Sequence, residues 1–211
     1  MTNQKNVNRF DEKAAQWDEK PQRLELARAA AQAILREIPL TRQMTALEFG
    51  CGTGLVTMQL APHLGHIDAV DTSAGMLEVL NRKIQVQALT NITTRQIDLM
   101  ADSLPGVSFD FIFSSMVLHH IEDTEDLLRR FFRLLHPGGY LGLVDLEKED
   151  GQFHTGEKVP HHGFDPEEVR RHLERIGFRF RTSVRIHKIM LPDPDGLDQA
   201  YPVFLLAAQK G

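Results

Sequence analysis

Leu47-Glu48-Phe49-Gly50-Cys51-Gly52-Thr53-Gly54-Leu55 is the stretch on which the fold turns. It closes an apolar run, residues 44–49, with the length and composition of a short buried strand. It opens residues 55–64, which carry helical spacing. Between them stand glycines at every second position. A strand that passes through such a turn straight into a helix brings bare main chain up to a ligand, and only glycine combines positive φ with that close approach. The spacing is G-x-G-x-G, with Leu55 where the dinucleotide fingerprint G-x-G-x-x-G has its third glycine. Glu48, an acid just before the turn, is a second departure from a plain dinucleotide loop. Together they favour a ligand with a positive charge and no pyrophosphate.

Glu48 to Gly54 resembles motif I of the class I S-adenosylmethionine-dependent methyltransferases. More narrowly, the chain is similar to the small-molecule group that includes the ubiquinone and menaquinone biosynthesis methyltransferases. The resemblance runs from about Phe10 to the C-terminus and is strongest over residues 46–143. It implies a Rossmann-like α/β fold, with a seven-stranded, mostly parallel sheet, helices on both faces and the last strand antiparallel. Residues 1–40 are expected to form an N-terminal helical lid and residues 41–211 the core of a single domain. The implied cofactor is S-adenosyl-L-methionine, which leaves as S-adenosyl-L-homocysteine.

The composition fits that expectation. A chain of 211 residues suffices for one domain with a sizeable core. Its formal net charge of -5, with no basic stripe, argues against a nucleic-acid surface. One cysteine excludes an internal disulfide and points to a reducing compartment, hence to the cytoplasm. No run is long enough to span a bilayer. A small-molecule acceptor is the expected partner, for a monomer or a homodimer.

Residues 1–8 are polar and read as loose. Phe10-Asp11-Glu12-Lys13-Ala14-Ala15-Gln16-Trp17-Asp18 resembles the segment that these enzymes fold over their cofactor; Phe10, Ala14 and Trp17 make one apolar edge at helical spacing. That edge is either a helix packed on the body or a lid whose aromatics cover the cofactor or the acceptor. Residues 22–38 are an amphipathic helix ended by Pro39. Strands are predicted at 44–49, 66–71, 92–97, 109–114, 140–147, 178–189 and 201–209. Helices are predicted over 124–136, capped by Asp123, and from Asp165-Pro166 to Gly177. Pro105-Gly106 and residues 192–196 read as links.

Asp71 ends the second strand about twenty residues beyond the first glycine, where a doubly wound unit sets a carboxylate against a ribose diol; a helix N-cap is the other reading. The resemblance places Thr72 and Met76 near the adenosine. It also sets Asp98 on the adenine amine, with the Leu99 N–H on the ring, and counts Cys51, Thr53 and Ser114 among the cofactor residues. Cys51, between two glycines, is read as a small packing residue rather than a nucleophile.

Methyl transfer from a sulfonium is a direct in-line displacement, so much of the catalysis is positioning. A base is needed only for an acceptor that arrives protonated, and histidine suits neutral pH. His119, in the loop after the fourth strand, is the candidate, as base or as pocket lining; His120 is read as structural. His154, His161 and His162 have the spacing H-x6-H-H, which fits no regular zinc pattern, so no metal is expected. His154 and His162 are read as acceptor contacts. Two further readings stand beside the enzyme. One is a protein that holds S-adenosylmethionine without transferring methyl. The other is a nicotinamide-dependent oxidoreductase, against which Leu55 and Glu48 speak.

Overall fold

Seven strands form one sheet in the order β3-β2-β1-β4-β5-β7-β6. They are β1 Thr45–Phe49, β2 His66–Asp71, β3 Ile92–Gln96, β4 Phe109–Ser115, β5 Leu135–Leu146, β6 Phe178–Pro192 and β7 Asp198–Lys210. The computed structural model describes residues 4–102, 104, 106–154, 158–192 and 197–211. β1 pairs in parallel with β2 on one side and β4 on the other, and Phe49 lies level with both Val70 and Ser114. β7 runs antiparallel to its neighbours β5 and β6. The chain works outward from β1 to β3 and then returns to β4 on the opposite side of β1. The carboxyl ends of β1 and β4 therefore open a crevice at the topological switch point.

Strands covered on both faces read as continuous apolar runs, and the central ones do. Ala46, Leu47, Ile67, Phe111, Ile112 and Phe113 are all fully buried. Phe111 and Phe113 face a layer that holds α2 (Pro21–Glu37), through Ala27, Ala30, Ala31 and Ile34, and α4 (Ala74–Val86), through Leu77 and Leu80. Leu47 and Ile112 face the other layer. It holds Leu127, Leu128 and Phe131 of α5 (Thr124–Leu134) and Val169 and Leu173 of α6 (Pro166–Ile176). The caps are those expected. Asp123 accepts from the Asp126 N–H at 2.9 Å, Asp165 precedes Pro166, and Gly177 ends α6 at φ +117°.

Four local expectations are corrected. The N-terminal segment is helical from Gln4: α1 covers Gln4–Lys13, and residues 1–3 lie outside the described residues. Phe10 and Trp17 do not share one helix edge, because Trp17 sits in the following 3-10 turn Ala14–Glu19. The helix predicted over 55–64 shortens to α3 (Thr57–Leu60) and a 3-10 turn, Ala61–His63. Pro62 has no N–H with which to continue it. α5 ends at Leu134 and β5 starts at Leu135, so His136-Pro137-Gly138-Gly139 falls within the strand, beside a register shift between Phe109 and Phe111. Pro105 and residues 193–196 lie outside the described residues. Among those described, no helix is long and apolar enough to cross a membrane.

Candidate functional site

The turn after β1 is built from three left-handed glycines, Gly50, Gly52 and Gly54, at φ +71°, +53° and +79°. Their surroundings differ. A Cβ on Gly50 would meet Val117 Cγ2 at 2.4 Å, and one on Gly54 would meet Leu80 Cδ1 at 2.3 Å. A Cβ on Gly52 would meet nothing within 4 Å. Gly50 and Gly54 thus let the turn pack against its neighbours, while Gly52 presents bare backbone to open space.

Two acids brace the turn. Asp71 Oδ2 accepts from the Gly52 N–H at 2.8 Å and Oδ1 from the Ser73 N–H at 2.9 Å. Burial pushes the Asp71 carboxyl up, against the pull of the Ser73, Gly52 and Thr72 N–H groups. Glu48 is 2% exposed and accepts from the Thr57 hydroxyl. Burial pushes its carboxyl up to about 8; the Thr57 hydrogen bond opposes this and Asp71 adds to it.

Around the turn lies a cavity of about 930 Å³, in the size range of small-molecule and cofactor sites. Its roof is the N-terminal segment, which is tied down at two points. Asp11 Oδ1 accepts from Ser73 Oγ at 2.5 Å and from the Gly75 N–H at 2.9 Å. Asp18 accepts from Thr53 Oγ1 at 2.6 Å and pairs with Lys83. The Phe10 ring stands edge-on to Trp17 at 5.6 Å and to His120 at 5.7 Å.

Beside Phe10 the wall carries three imidazoles. His119, 1% exposed, lies on the 3-10 turn Leu118–His120 after β4. The chain enters that turn through Met116, a non-glycine residue at φ +60°. His119 Nδ1 is 2.6 Å from Oδ1 of the fully buried Asp145, on β5. A carboxylate only accepts, so the proton is assigned to Nδ1 and Nε2 keeps its lone pair. Nε2 is buried with no hydrogen-bond partner among the described residues, and so is His120 Nδ1. The His119, His120 and His154 rings stand 4.2, 4.9 and 5.3 Å apart, and one ring nitrogen of each lies within 4.8 Å of the others. Burial first, then His119, His154 and Arg9, pushes His120 down to about 2.

Residues 47–143, from β1 into β5, match the family described as Methyltransferase domain. A solved S-adenosylmethionine-dependent methyltransferase from Aquifex aeolicus superposes with a TM-score of 0.73 at 24% identity, over 95% of this chain and 98% of that one. This is the class I S-adenosylmethionine-dependent methyltransferase fold. An uncharacterized methyltransferase of Schizosaccharomyces pombe is 32% identical over 142 residues, 60% of this chain and 50% of that one. A demethylmenaquinone methyltransferase of Listeria welshimeri is 30% identical over 102 residues, 47% of this chain and 43% of that one. The chain spans about half the length of the curated relatives it matches.

Within this methyltransferase fold, Glu48, Gly50, Cys51, Gly52, Thr53, Asp71, Thr72, Met76 and Asp98 line the cavity, with Phe10, Trp17, His119 and His154. Four candidates do not stand on its wall. Gly54 faces Leu80. Leu99 is 2% exposed, with its carbonyl accepting from Arg130 at 2.8 Å. Ser114 Oγ donates to the Phe49 carbonyl at 2.9 Å and ties β4 to β1. His162 is half exposed, 3.4 Å from Glu149. The sequence reading missed Asp145, although an acid inside the apolar run of β5 was a signal. It also missed that His120 lines the cavity. It dismissed a metal on the spacing of His154, His161 and His162, but His154 gathers with His119 and His120 instead.

Proposed function

We propose that the protein transfers a methyl group from S-adenosylmethionine to a small-molecule acceptor bearing an O–H or N–H. The observation that carries this is one cavity lined both by Gly52, where a Cβ would meet nothing within 4 Å, and by His119, whose ring Asp145 holds from behind. Bound S-adenosylmethionine supplies an electrophilic methyl carbon on a sulfonium. Gly52 would admit it against the main chain, Asp71 would accept from its ribose, and Asp98 would hold the adenine end. Glu48 favours its positive charge. His119 Nε2 would take the acceptor's proton as the acceptor displaces the methyl group, the donor keeping the C–S electron pair. Asp145 holds the imidazole in the right tautomer and steadies the imidazolium, a positioning role. Phe10 and Trp17 close the site against water.

The likeness to quinone-pathway enzymes rests, among the relatives named above, on the Listeria welshimeri protein and on under half its length. The acceptor is therefore proposed by its chemistry, not as a quinone precursor. A cytoplasmic location belongs to the same proposal.

Calorimetry with S-adenosylmethionine, S-adenosylhomocysteine and NAD, followed by S-adenosylhomocysteine release over a panel of phenols, amines and carboxylates, tests it. Both adenosyl ligands should bind and NAD should not. His119→Ala should lower kcat by roughly 10²–10⁴-fold, the usual contribution of a positioned acid–base group, while S-adenosylhomocysteine affinity holds. Binding of NAD alone would end the proposal. Tight binding without turnover on any acceptor would reduce it to a binding protein.

A further inference from the structure

We propose that His119, His120 and His154 form a binding site for a divalent first-row transition ion, zinc above all, on the acceptor side of the cavity. The three imidazoles come from two separate segments, a 3-10 turn after β4 and the loop after β5, yet one ring nitrogen of each lies within 4.8 Å of the others. Imidazole is the ligand that zinc, copper, iron and nickel share. A zinc–nitrogen bond of about 2.0–2.1 Å sets tetrahedral nitrogens roughly 3.3 Å apart, so the cluster closes by an ångström or so. His120 and His154 are only partly buried, so the closure falls to them rather than to His119.

His119 is the fixed member. Asp145 holds its Nδ1 at 2.6 Å, which leaves Nε2 as the ligand atom. That is the carboxylate–histidine–metal arrangement, in which the outer carboxylate orients the ring and raises its basicity. Nothing described bonds to Nε2, although it is buried. A buried lone pair with no donor is costly, and a metal ion removes that cost. The charge of Arg9 opposes a cation here and that of Asp145 favours one.

Three protein ligands leave a fourth position open, the pattern of reactive rather than structural zinc. There the ion would act as a Lewis acid that lowers the pKa of an oxygen acceptor, which could then enter already deprotonated. Zinc on Nε2 and proton acceptance by Nε2 exclude each other at any one moment, so the metal form offers a Lewis acid in place of a base.

The test uses untagged, chelator-treated full-length protein, titrated with Zn²⁺ by calorimetry and with Co²⁺ by visible absorption. One equivalent should bind with micromolar affinity or better, and cobalt should show the bands of a nitrogen-ligated ion of low coordination number. His154→Ala should weaken zinc by more than about 100-fold and abolish the cobalt bands. Asp145→Asn should weaken it about 10–100-fold, as loss of an outer-shell partner does. His161→Ala and His162→Ala should leave both signals unchanged. S-adenosylhomocysteine binding by His154→Ala shows that the variant is folded. Absence of stoichiometric zinc binding by the wild-type chain, or equal affinity in His154→Ala, would overturn the site. A chain that binds zinc here but no adenosyl ligand would keep this proposal and end the methyl-transfer one.

Discussion

Gly52 and Gly54 share a left-handed backbone and differ in what a methyl group would meet, so one substitution should give opposite outcomes at the two positions. At either, alanine costs about 1–2 kcal/mol for the left-handed φ. At Gly54 it also drives a carbon to 2.3 Å from Leu80 Cδ1, inside the packing of α4. Overpacking of that kind adds about 1–3 kcal/mol. At Gly52 the methyl enters open space that the ligand needs. Gly54→Ala should therefore lower Tm the more and keep most of its S-adenosylhomocysteine affinity. Gly52→Ala should melt only a few degrees below wild type, from the backbone cost alone, and bind roughly 100-fold more weakly, the equivalent of about 3 kcal/mol. Thermal melts beside calorimetry decide it; equal binding losses would show that Gly52 does not meet the ligand. Glu48 gives a second prediction at this scale. Burial pushes it up to about 8, so the ligand-free protein holds it protonated at pH 7. A cation beside it favours the carboxylate. Binding of S-adenosylmethionine should then expel a proton, and affinity should rise with pH up to about 8, by at most about tenfold per unit. Binding enthalpies measured in two buffers of different ionisation heat count the proton; identical enthalpies, or an unchanged difference in Glu48→Gln, would refute it.

Elements were legible where a local rule governs them. The central strands announce themselves by buried apolar runs, and α5 and α6 by an acid cap before each. In the site, the glycine turn, the strand-end acids Asp71 and Asp98, the aromatics Phe10 and Trp17, and His119 and His154 were legible one by one, because each carries a local signal; what joins them was not. The histidine cluster depends on the loop after β5 folding back onto the turn after β4, and no spacing in the chain encodes that contact. The roof was visible as aromatics but not as a latch. Its ties are Asp11 to Ser73 and Gly75, and Asp18 to Thr53 and Lys83, each spanning 35 residues or more along the chain. The Asp18–Lys83 pair is a quarter or more exposed, so its share of stability is at most about 1 kcal/mol. Its greater effect should be on the ligand. Asp18→Ala frees the Thr53 hydroxyl at the cavity edge and loosens the roof. It should quicken S-adenosylhomocysteine dissociation several-fold while Tm falls by only a few degrees. Hydrogen exchange should rise over Gln4–Lys13 in the variant and not in β1. Unchanged dissociation would make these ties structural only.

At the scale of the molecule, the buried acid of the cofactor turn works against stability, and its sign can be followed with pH. Glu48 is pushed from 4.5 to about 8 on folding, so between those values the native state holds a proton that the unfolded chain has lost. Stability from this group is complete below about 4.5 and falls as pH rises toward 8. His120 acts the other way. It is pushed from 6.5 down to about 2, so below 6.5 the unfolded chain takes up a proton that the metal-free native state refuses. From about 4.5 to 6.5 the two slopes oppose and nearly cancel. Above about 6.5 His120 is neutral in both states, Glu48 acts alone, and stability should fall by about 2 kcal/mol by pH 8. Asp71, also pushed up by burial, contributes with the same sign as Glu48. Burial pushes the Cys51 thiol well above 9.0, out of this range. Denaturant melts of metal-free, ligand-free protein from pH 5 to 8 should show a plateau and then the decline. Glu48→Gln keeps the shape and removes the titration, so its decline should be shallower by most of that amount. A saturating adenosyl ligand, by favouring the carboxylate, should flatten the wild-type curve in the same way. If wild type and Glu48→Gln decline in parallel, Glu48 does not carry the fall in stability.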